Sequence, residues 1–499
     1  MKSRKFSIGL FCFALLVLTL TALVNPAIAQ QGGNFPLYLP IILGGSGDSP
    51  QPTPSPTVIP PVTPSPTPPP DSLVPESIFG VNPGVITDTE TLTEVLNAGS
   101  SWVHSSRAVH WSEVEPVEGE RDWGALADLD IELQEAARLG LRVILTVDGT
   151  PAWARAADTA CGPVLPEKLP ALAAFLRELV QRYHTTPYRV KYWELWNEPD
   201  VAGAEGCWGD PGDAYFGGAA YAGMLKAVYD PMKAADPEAQ VLVGGLRLEC
   251  DPDNPPGGKD CSSSRFLDGI LRSGGAGSLD GISFHASDGF AIYDLPWGTA
   301  YQYGNYNWRS YWNTTGPVVA AKTNFIRGVL NGYGLADLPL YNTQSALLCA
   351  SCVDVPVFES AKAGYIAQAY ATARALQLKA NLWENLFGWQ NSGLLEPDFT
   401  PRPAYQAFQF ARGKVGAGEF LGEITPEDAG GAPGVYGYKF NLEDGRQVWV
   451  IWYVSMTEAS HPLSLTTDPD AAWSVLGEPL DRSAGLTVKD EPIYLEWVP

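Results

Sequence analysis

Eight short apolar runs, each followed by a polar loop or a stretch of helical periodicity, recur between residues 74 and 413. They constrain the fold more than any other feature of this sequence. The runs are SIFGVN (77–82), SWVHSS (101–106), LRVILTV (141–147), VKYWELW (190–196), VLVGGL (241–246), GISFHA (281–286), LPLYNTQ (338–344) and NLWENLFGW (381–389). Between several of them lie amphipathic segments such as LADLDIELQEAARLG and LPALAAFLRELVQRYH. The second carries Leu169, Leu172, Phe175, Leu176, Leu179 and Val180 at helical spacing. Strand-like runs alternating with helices predict parallel strands joined by crossover helices. A span of about 340 residues fits an eight-stranded (β/α)8 TIM barrel with insertions. A doubly wound open sheet is the alternative. It calls for a glycine-rich phosphate loop after the first strand, and SIFGVNPGV is a poor version of one.

The segments on either side have a different texture. Residues 1–29 combine a basic start, an apolar run and the small-residue site Ala27-Ile28-Ala29, which reads as a secretory signal. An uncleaved membrane anchor is the alternative, because the apolar run is long. Residues 30–73 include SPQPTPSPTVIPPVTPSPTPPP, where dense proline predicts an extended, semi-rigid linker. From 414 to 499 the pattern changes to short alternating strands. GVYGYKFNLEDGRQVWVIWYVS reads as a hairpin turning at Glu443-Asp444-Gly445, and the segment as an antiparallel β-sandwich packed on the barrel. The expectation is an extracellular monomer, secreted or tethered at the cell surface, with no membrane contact after signal cleavage.

The charge narrows the partners. The net charge of −24 becomes −27 once the signal, with three basic residues and no acid, is removed. So acidic a chain repels phosphate backbones, and nucleic acid is excluded as a partner. Sixteen Trp and 21 Tyr are a rich aromatic supply, most of it expected in the core and a few residues as stacking platforms for sugar rings. Six cysteines remain after the signal, an even number in an exported chain, which favours disulfides. Fifteen pairings are possible. The expected set is Cys250–Cys261, Cys349–Cys352 and, by elimination, Cys161–Cys207. The histidines form no ligand cluster, so neither metal nor cofactor is expected.

Strand tips at the C-terminal end of such a barrel carry its chemistry. The run Tyr192-Trp-Glu-Leu-Trp-Asn-Glu-Pro199 ends in a glutamate beside aromatics and an amide. Desolvation there is expected to raise the pKa of Glu198, as a general acid requires. Trp196-Asn197-Glu198-Pro199 resembles the acid/base motif of clan A glycoside hydrolases, retaining enzymes built on α/β barrels. Further segments resemble the same group in order: Trp111-Ser-Glu-Val-Glu-Pro116 with Gly119 and Trp123, Thr150-Pro151-Ala152-Trp153-Ala154, Val243-Gly244-Gly245 and Ser283-Phe284-His285.

The resemblance implies an oligo- or polysaccharide ligand and two carboxylates about 5–5.5 Å apart, one an acid/base and the other a nucleophile. Glu198 matches the first. The second belongs at the tip of strand seven, where this chain reads Asn342-Thr343-Gln344-Ser345-Ala346. An amide has nearly the shape of a carboxylate but neither its charge nor its nucleophilicity, so hydrolysis by this route is expected to be weak or lost. The tyrosine expected after the strand-six histidine is also missing from His285-Ala286-Ser287-Asp288. The resemblance further implies Asn197, Arg107, His285, Trp153, Trp383 and Trp389 as sugar contacts, with one of the last two tryptophans in the core instead. His104 competes with Arg107 for the tip of strand two. Glu384, Asp148 and Asp288 are the alternative carboxylates through which hydrolysis could survive.

Overall fold

The computed structural model describes residues 77–84, 89–104, 107–156, 158–202, 207–256, 259–290, 308–353, 355–431, 433–455 and 459–499. The signal and the proline-rich linker lie outside the described residues. Eight parallel strands form the centre: β1 (Phe79–Val81), β2 (Trp102–His104), β3 (Arg142–Asp148), β4 (Tyr192–Asn197), β5 (Gln240–Leu246), β6 (Gly281–Phe290), β7 (Leu340–Leu348) and β8 (Ala380–Trp383). They run in the order β2-β1-β8-β7-β6-β5-β4-β3, and β2 pairs with β3 to close the ring. Closure excludes the open doubly wound sheet. Both faces of every strand are covered, which is why these runs read as nearly continuous apolar sequence.

A helix follows each strand: α1 (Thr89–Asn97), α2 (Ala127–Leu139), α3 (Leu169–Tyr183), α4 (Gly218–Ala235), α5 (Phe266–Arg272), α6 (Val319–Asn331), α7 (Pro356–Ala375) and α8 (Pro403–Val415). Their boundaries follow local chemistry. Proline occupies the first turn of α3, α7 and α8, where a missing N–H costs nothing. Gly140 ends α2 in the left-handed conformation, with φ +78°. On α3, Leu172, Phe175, Leu176, Leu179, Val180 and Tyr183 form the buried face.

Alternation along the strands divides the core into two layers. Trp102, Ile144, Tyr192, Leu242, Tyr341, Ala380 and Leu382 fill the barrel interior, with Trp102 edge-on to Tyr192 at 4.7 Å. The larger layer lies between strands and helices. There Phe79 stacks on Tyr370 of α7 at 4.2 Å and meets Phe408 of α8 edge-on at 5.2 Å.

The C-terminal segment forms a five-stranded antiparallel sheet from β9 (Glu419–Glu423), β10 (Val435–Asn441), β11 (Gln447–Tyr453), β12 (Ala471–Trp473) and β13 (Ile493–Trp497). Its order is β9-β10-β11-β13-β12, and a short antiparallel ladder joins His461–Pro462 to Thr487–Val488. The β10–β11 turn falls at 442–446, with Gly445 at φ +84°. This domain covers the outer face of α7: Gln368 Nε2 donates to the Asp490 carbonyl (2.9 Å) and Arg374 Nε to that of Gly418 (2.6 Å).

Candidate active site

The three expected disulfides are present, and all of them tie loops at the C-terminal end of the barrel. Cys161–Cys207 links the β3–α3 and β4–α4 loops, Cys250–Cys261 closes part of the β5–α5 loop, and Cys349–Cys352 follows β7.

Glu198 lies just past β4, and the backbone there turns sharply. Trp196 and Glu198 take positive φ values of 67° and 46°, unusual for non-glycine residues. The turn is held by the Glu198 N–H donating to the Gly245 carbonyl at 3.0 Å. The two glycines of β5 make room for it. A Cβ on Gly244 would lie 2.0 Å from the Trp196 carbonyl oxygen, and one on Gly245 would lie 2.2 Å from His285 Nε2. His285, on β6, packs over Gly245 and places Nδ1 2.9 Å from Glu198 Oε1. Arg247 stands 4.0 Å from the other carboxylate oxygen.

Two buried charged groups outside the expected set hold this assembly. The Asp200 carboxylate accepts the backbone N–H groups of Arg247 (2.9 Å) and Leu248 (2.8 Å). The Lys322 ammonium, on α6, donates to the backbone carbonyls of Arg247 and His285, both at 2.7 Å.

This company corrects one expectation. Burial does act to raise the pKa of Glu198. The His285 hydrogen bond and the charges of His285, Arg247 and Lys322 outweigh it, so the carboxyl sits below its ordinary range. The neighbours of Glu198 thus favour its carboxylate form.

Gln344 sits beside this group. In the β6–β7 ladder Phe284 pairs with Asn342 and His285 with Gln344, so Thr343 is an extra, bulged residue. The bulge turns Gln344 to the same face as His285, into the barrel mouth, while Asn342 bonds Asn381 at 2.7 Å between neighbouring strands. Ser287, where a tyrosine was expected, donates to the Gln344 backbone carbonyl at 3.4 Å.

On β8 the alternation that puts Ala380 and Leu382 in the barrel interior also turns Glu384 inward. Its N–H bonds the Ser345 carbonyl (2.8 Å) and its carboxylate accepts from Asn82 Nδ2 (3.4 Å). Burial raises its pKa more than His104, His285 and Asn82 lower it, and the charge of Glu198 adds to the rise. Below the mouth, His104 Nε2 lies 3.0 Å from both Glu194 Oε1 and Thr146 Oγ1. Glu194 is fully buried. Its burial is over-compensated by His104, which holds its pKa below the ordinary range.

Several expected contacts lie elsewhere. Arg107 turns away to α2, where Nε meets Glu132 at 2.9 Å and the guanidinium approaches Asp128 at 3.5 Å. Two carboxylates on the adjacent helix outbid the mouth for it, and the inward position at the tip of β2 belongs to His104. Trp383 is buried between β8 and the helices, its Nε1 donating to the Ser392 carbonyl at 2.9 Å, so it is core and not a sugar platform. Trp389 is 39% exposed on the loop beyond it. Trp153 is half-buried, donates to the Glu115 carbonyl (3.0 Å) and packs edge-on against Trp111 (5.1 Å). Asn197 is half-buried opposite Gly245.

The alternative carboxylates also separate. Asp288 faces the helices, accepting from Val318 N–H (2.8 Å) and the Tyr365 hydroxyl (2.9 Å), which removes it from the mouth. Asp148 is engaged in a close pair with His110 Nδ1. Glu384 is the alternative that faces the mouth.

Glu194, Asn82, Arg247, Lys322 and Asp200 were missed from sequence. Only Glu194 carried a usable signal: it shares the inward alternation of Tyr192 within a run otherwise apolar.

Solved structures with this fold include a family 39 glycoside hydrolase from the gut symbiont Bacteroides cellulosilyticus WH2. It is 20% identical over 85% of this chain and 83% of its own, with a TM-score of 0.61. A family 30 subfamily 8 xylanase from Clostridium acetobutylicum is 15% identical over 84% and 95%, with a TM-score of 0.53. A monomeric β-xylosidase from Caulobacter crescentus CB15 is 16% identical over 85% and 96%, with a TM-score of 0.54. No family model matches the chain, and no curated protein does.

Proposed function

We propose that this is an exported carbohydrate-acting protein whose barrel mouth takes a sugar chain, and that double-displacement hydrolysis is closed to it. The glycoside hydrolase fold supports the first part. The xylanase and β-xylosidase among the similar structures make xylo-oligosaccharides the first ligands to try. Three disulfides suit an oxidising compartment.

The observation that carries the second part is Gln344 beside His285 and Glu198. A retaining reaction needs a carboxylate to attack the anomeric carbon and a second one, protonated, to assist departure. An amide at 344 supplies no attacking charge. It also removes the like charge that would push the Glu198 proton affinity up. With His285 and Arg247 facing it, Glu198 stays ionised and is a poor proton donor. One neutral side chain thus weakens both halves of the reaction.

The test is Gln344→Glu. The variant should gain retaining hydrolysis of 4-nitrophenyl β-xyloside, with the pKa of Glu198, followed by NMR, moving up. Turnover with retention by the unaltered protein, abolished by Glu198→Gln, would reject this reading.

A further inference from the structure

We infer that Glu384 and Glu198 form an acid and base pair for single-displacement, inverting cleavage of a glycosidic bond. The inference rests on the reading that the mouth takes a sugar, and it adds a reaction that needs no nucleophile at position 344.

The geometry begins with the ring order. Three strands separate β4 from β8 in either direction, so their tips face each other across the mouth. Glu198 stands at one tip and Glu384 at the other. Inverting enzymes hold their two carboxyls about 6.5–9.5 Å apart, leaving room for a water molecule, wider than the spacing for direct attack. Elimination points to the same residue. Among the described carboxylates near the strand tips, Asp288 is bonded on the helix side, Asp148 is paired with His110, Asp200 is bonded to the Arg247 and Leu248 backbone, Glu249 is paired with Arg247 and Lys259, and Glu194 lies below the mouth against His104 and Thr146. Glu384 is turned inward by the β8 alternation and tied only loosely, by a 3.4 Å contact from Asn82.

The surroundings assign the roles. Glu198 has a histidine at 2.9 Å and an arginine at 4.0 Å, company that keeps it ionised. Glu384 has an amide neighbour and, among the described residues, no lysine or arginine within ion-pair distance. Its burial, helped by the charge of Glu198, outweighs the opposing pull of His104, His285 and Asn82 and favours the protonated form. Two carboxyls pushed apart in this way divide into a donor and an acceptor.

In the step itself, water attacks the anomeric carbon and Glu198 takes its proton. The bond from that carbon to the leaving oxygen breaks, and Glu384 gives that oxygen its proton. The products are a hemiacetal of inverted configuration and a free alcohol. Proton exchange with solvent then returns Glu198 to the carboxylate and Glu384 to the acid. Gln344 faces the same space with an uncharged amide that does not compete for the anomeric carbon.

The experiment pairs binding with stereochemistry. Purified protein is titrated with xylotetraose and cellotetraose by calorimetry, and the first-formed anomer is read by proton NMR. Inverted product is expected, with Glu384→Gln and Glu198→Gln each slowing oligosaccharide cleavage by about 10²–10⁴-fold. With 2,4-dinitrophenyl β-xyloside, whose leaving group needs no proton, Glu384→Gln should lose less than about tenfold while Glu198→Gln keeps its full deficit. Glu384→Asp, which keeps the proton at shorter reach, should fall between, and thermal melts check that all variants fold. Binding without cleavage would overturn the inference and leave the proposed function standing. Retained product, or full activity in Glu384→Gln, would also overturn it. Failure to bind either oligosaccharide would remove the proposed function and the inference with it.

Discussion

Asp288 illustrates how a single side chain changes its meaning once its neighbours are known. It follows His285 by three residues and reads from sequence as a spare mouth carboxylate. In the folded protein it is buried against α6 and α7, and burial pushes its pKa up to about 6, from 3.8, in spite of the Val318 and Tyr365 hydrogen bonds. A raised folded-state value means that its contribution to stability is fully present below pH 3.8 and is lost as pH rises through about 6. Asp288→Asn removes this titration but keeps an acceptor for Val318 and Tyr365. The melting temperature of the variant, measured relative to the unaltered protein, should therefore climb between pH 4 and pH 7. A difference independent of pH would show that Asp288 is not the buried acid described. The same logic separates the two mouth glutamates: burial prevails at Glu384, and the neighbours prevail over burial at Glu198. No residue pattern announced that division, because it depends on His285, Arg247 and Lys322, which come from other strands and a helix.

At the level of elements, strand tips and loops divide the work. The β strands and helices were largely legible, since each run has its own periodicity. The bulge at Thr343 was not, because it shows only when β6 and β7 are laid side by side. It decides that Gln344, and not Thr343, faces the mouth. The three disulfides stiffen loops at that end of the barrel and leave its interior alone. Cys161–Cys207 spans 46 residues and Cys349–Cys352 only 3. A longer loop loses more entropy when closed. Replacing the first pair by serines should cost about 2–4 kcal/mol in denaturant unfolding and weaken sugar binding, because Trp196, next to Glu198, donates to the Cys161 carbonyl at 3.1 Å. Replacing the second pair should cost clearly less. Equal losses would show that loop closure does not set the cost.

The whole molecule joins a barrel to a β domain through α7. Phe358, Tyr365, Ile366 and Tyr370 are buried toward the barrel, and the other side of α7 lies under the C-terminal sheet, so almost no face of it is left to water. A chain ending at residue 416 should then expose an apolar surface and aggregate, as light scattering would register; a soluble, cooperatively folding barrel would show that the sheet is dispensable. The resemblance placed Glu198 and Gln344 at the tips of strands four and seven, and the sequence by itself determined the alternating architecture and the hairpin of the second domain. These follow from short-range periodicity and turn chemistry, which are written in neighbouring residues. The tertiary structure alone decided that Trp383 is core while Glu384 faces the mouth, that Arg107 belongs to α2, and that the neighbours of Glu198 favour its carboxylate form. Those outcomes depend on ring closure and on charges brought together from distant segments, and no local pattern encodes a distance between strands four apart.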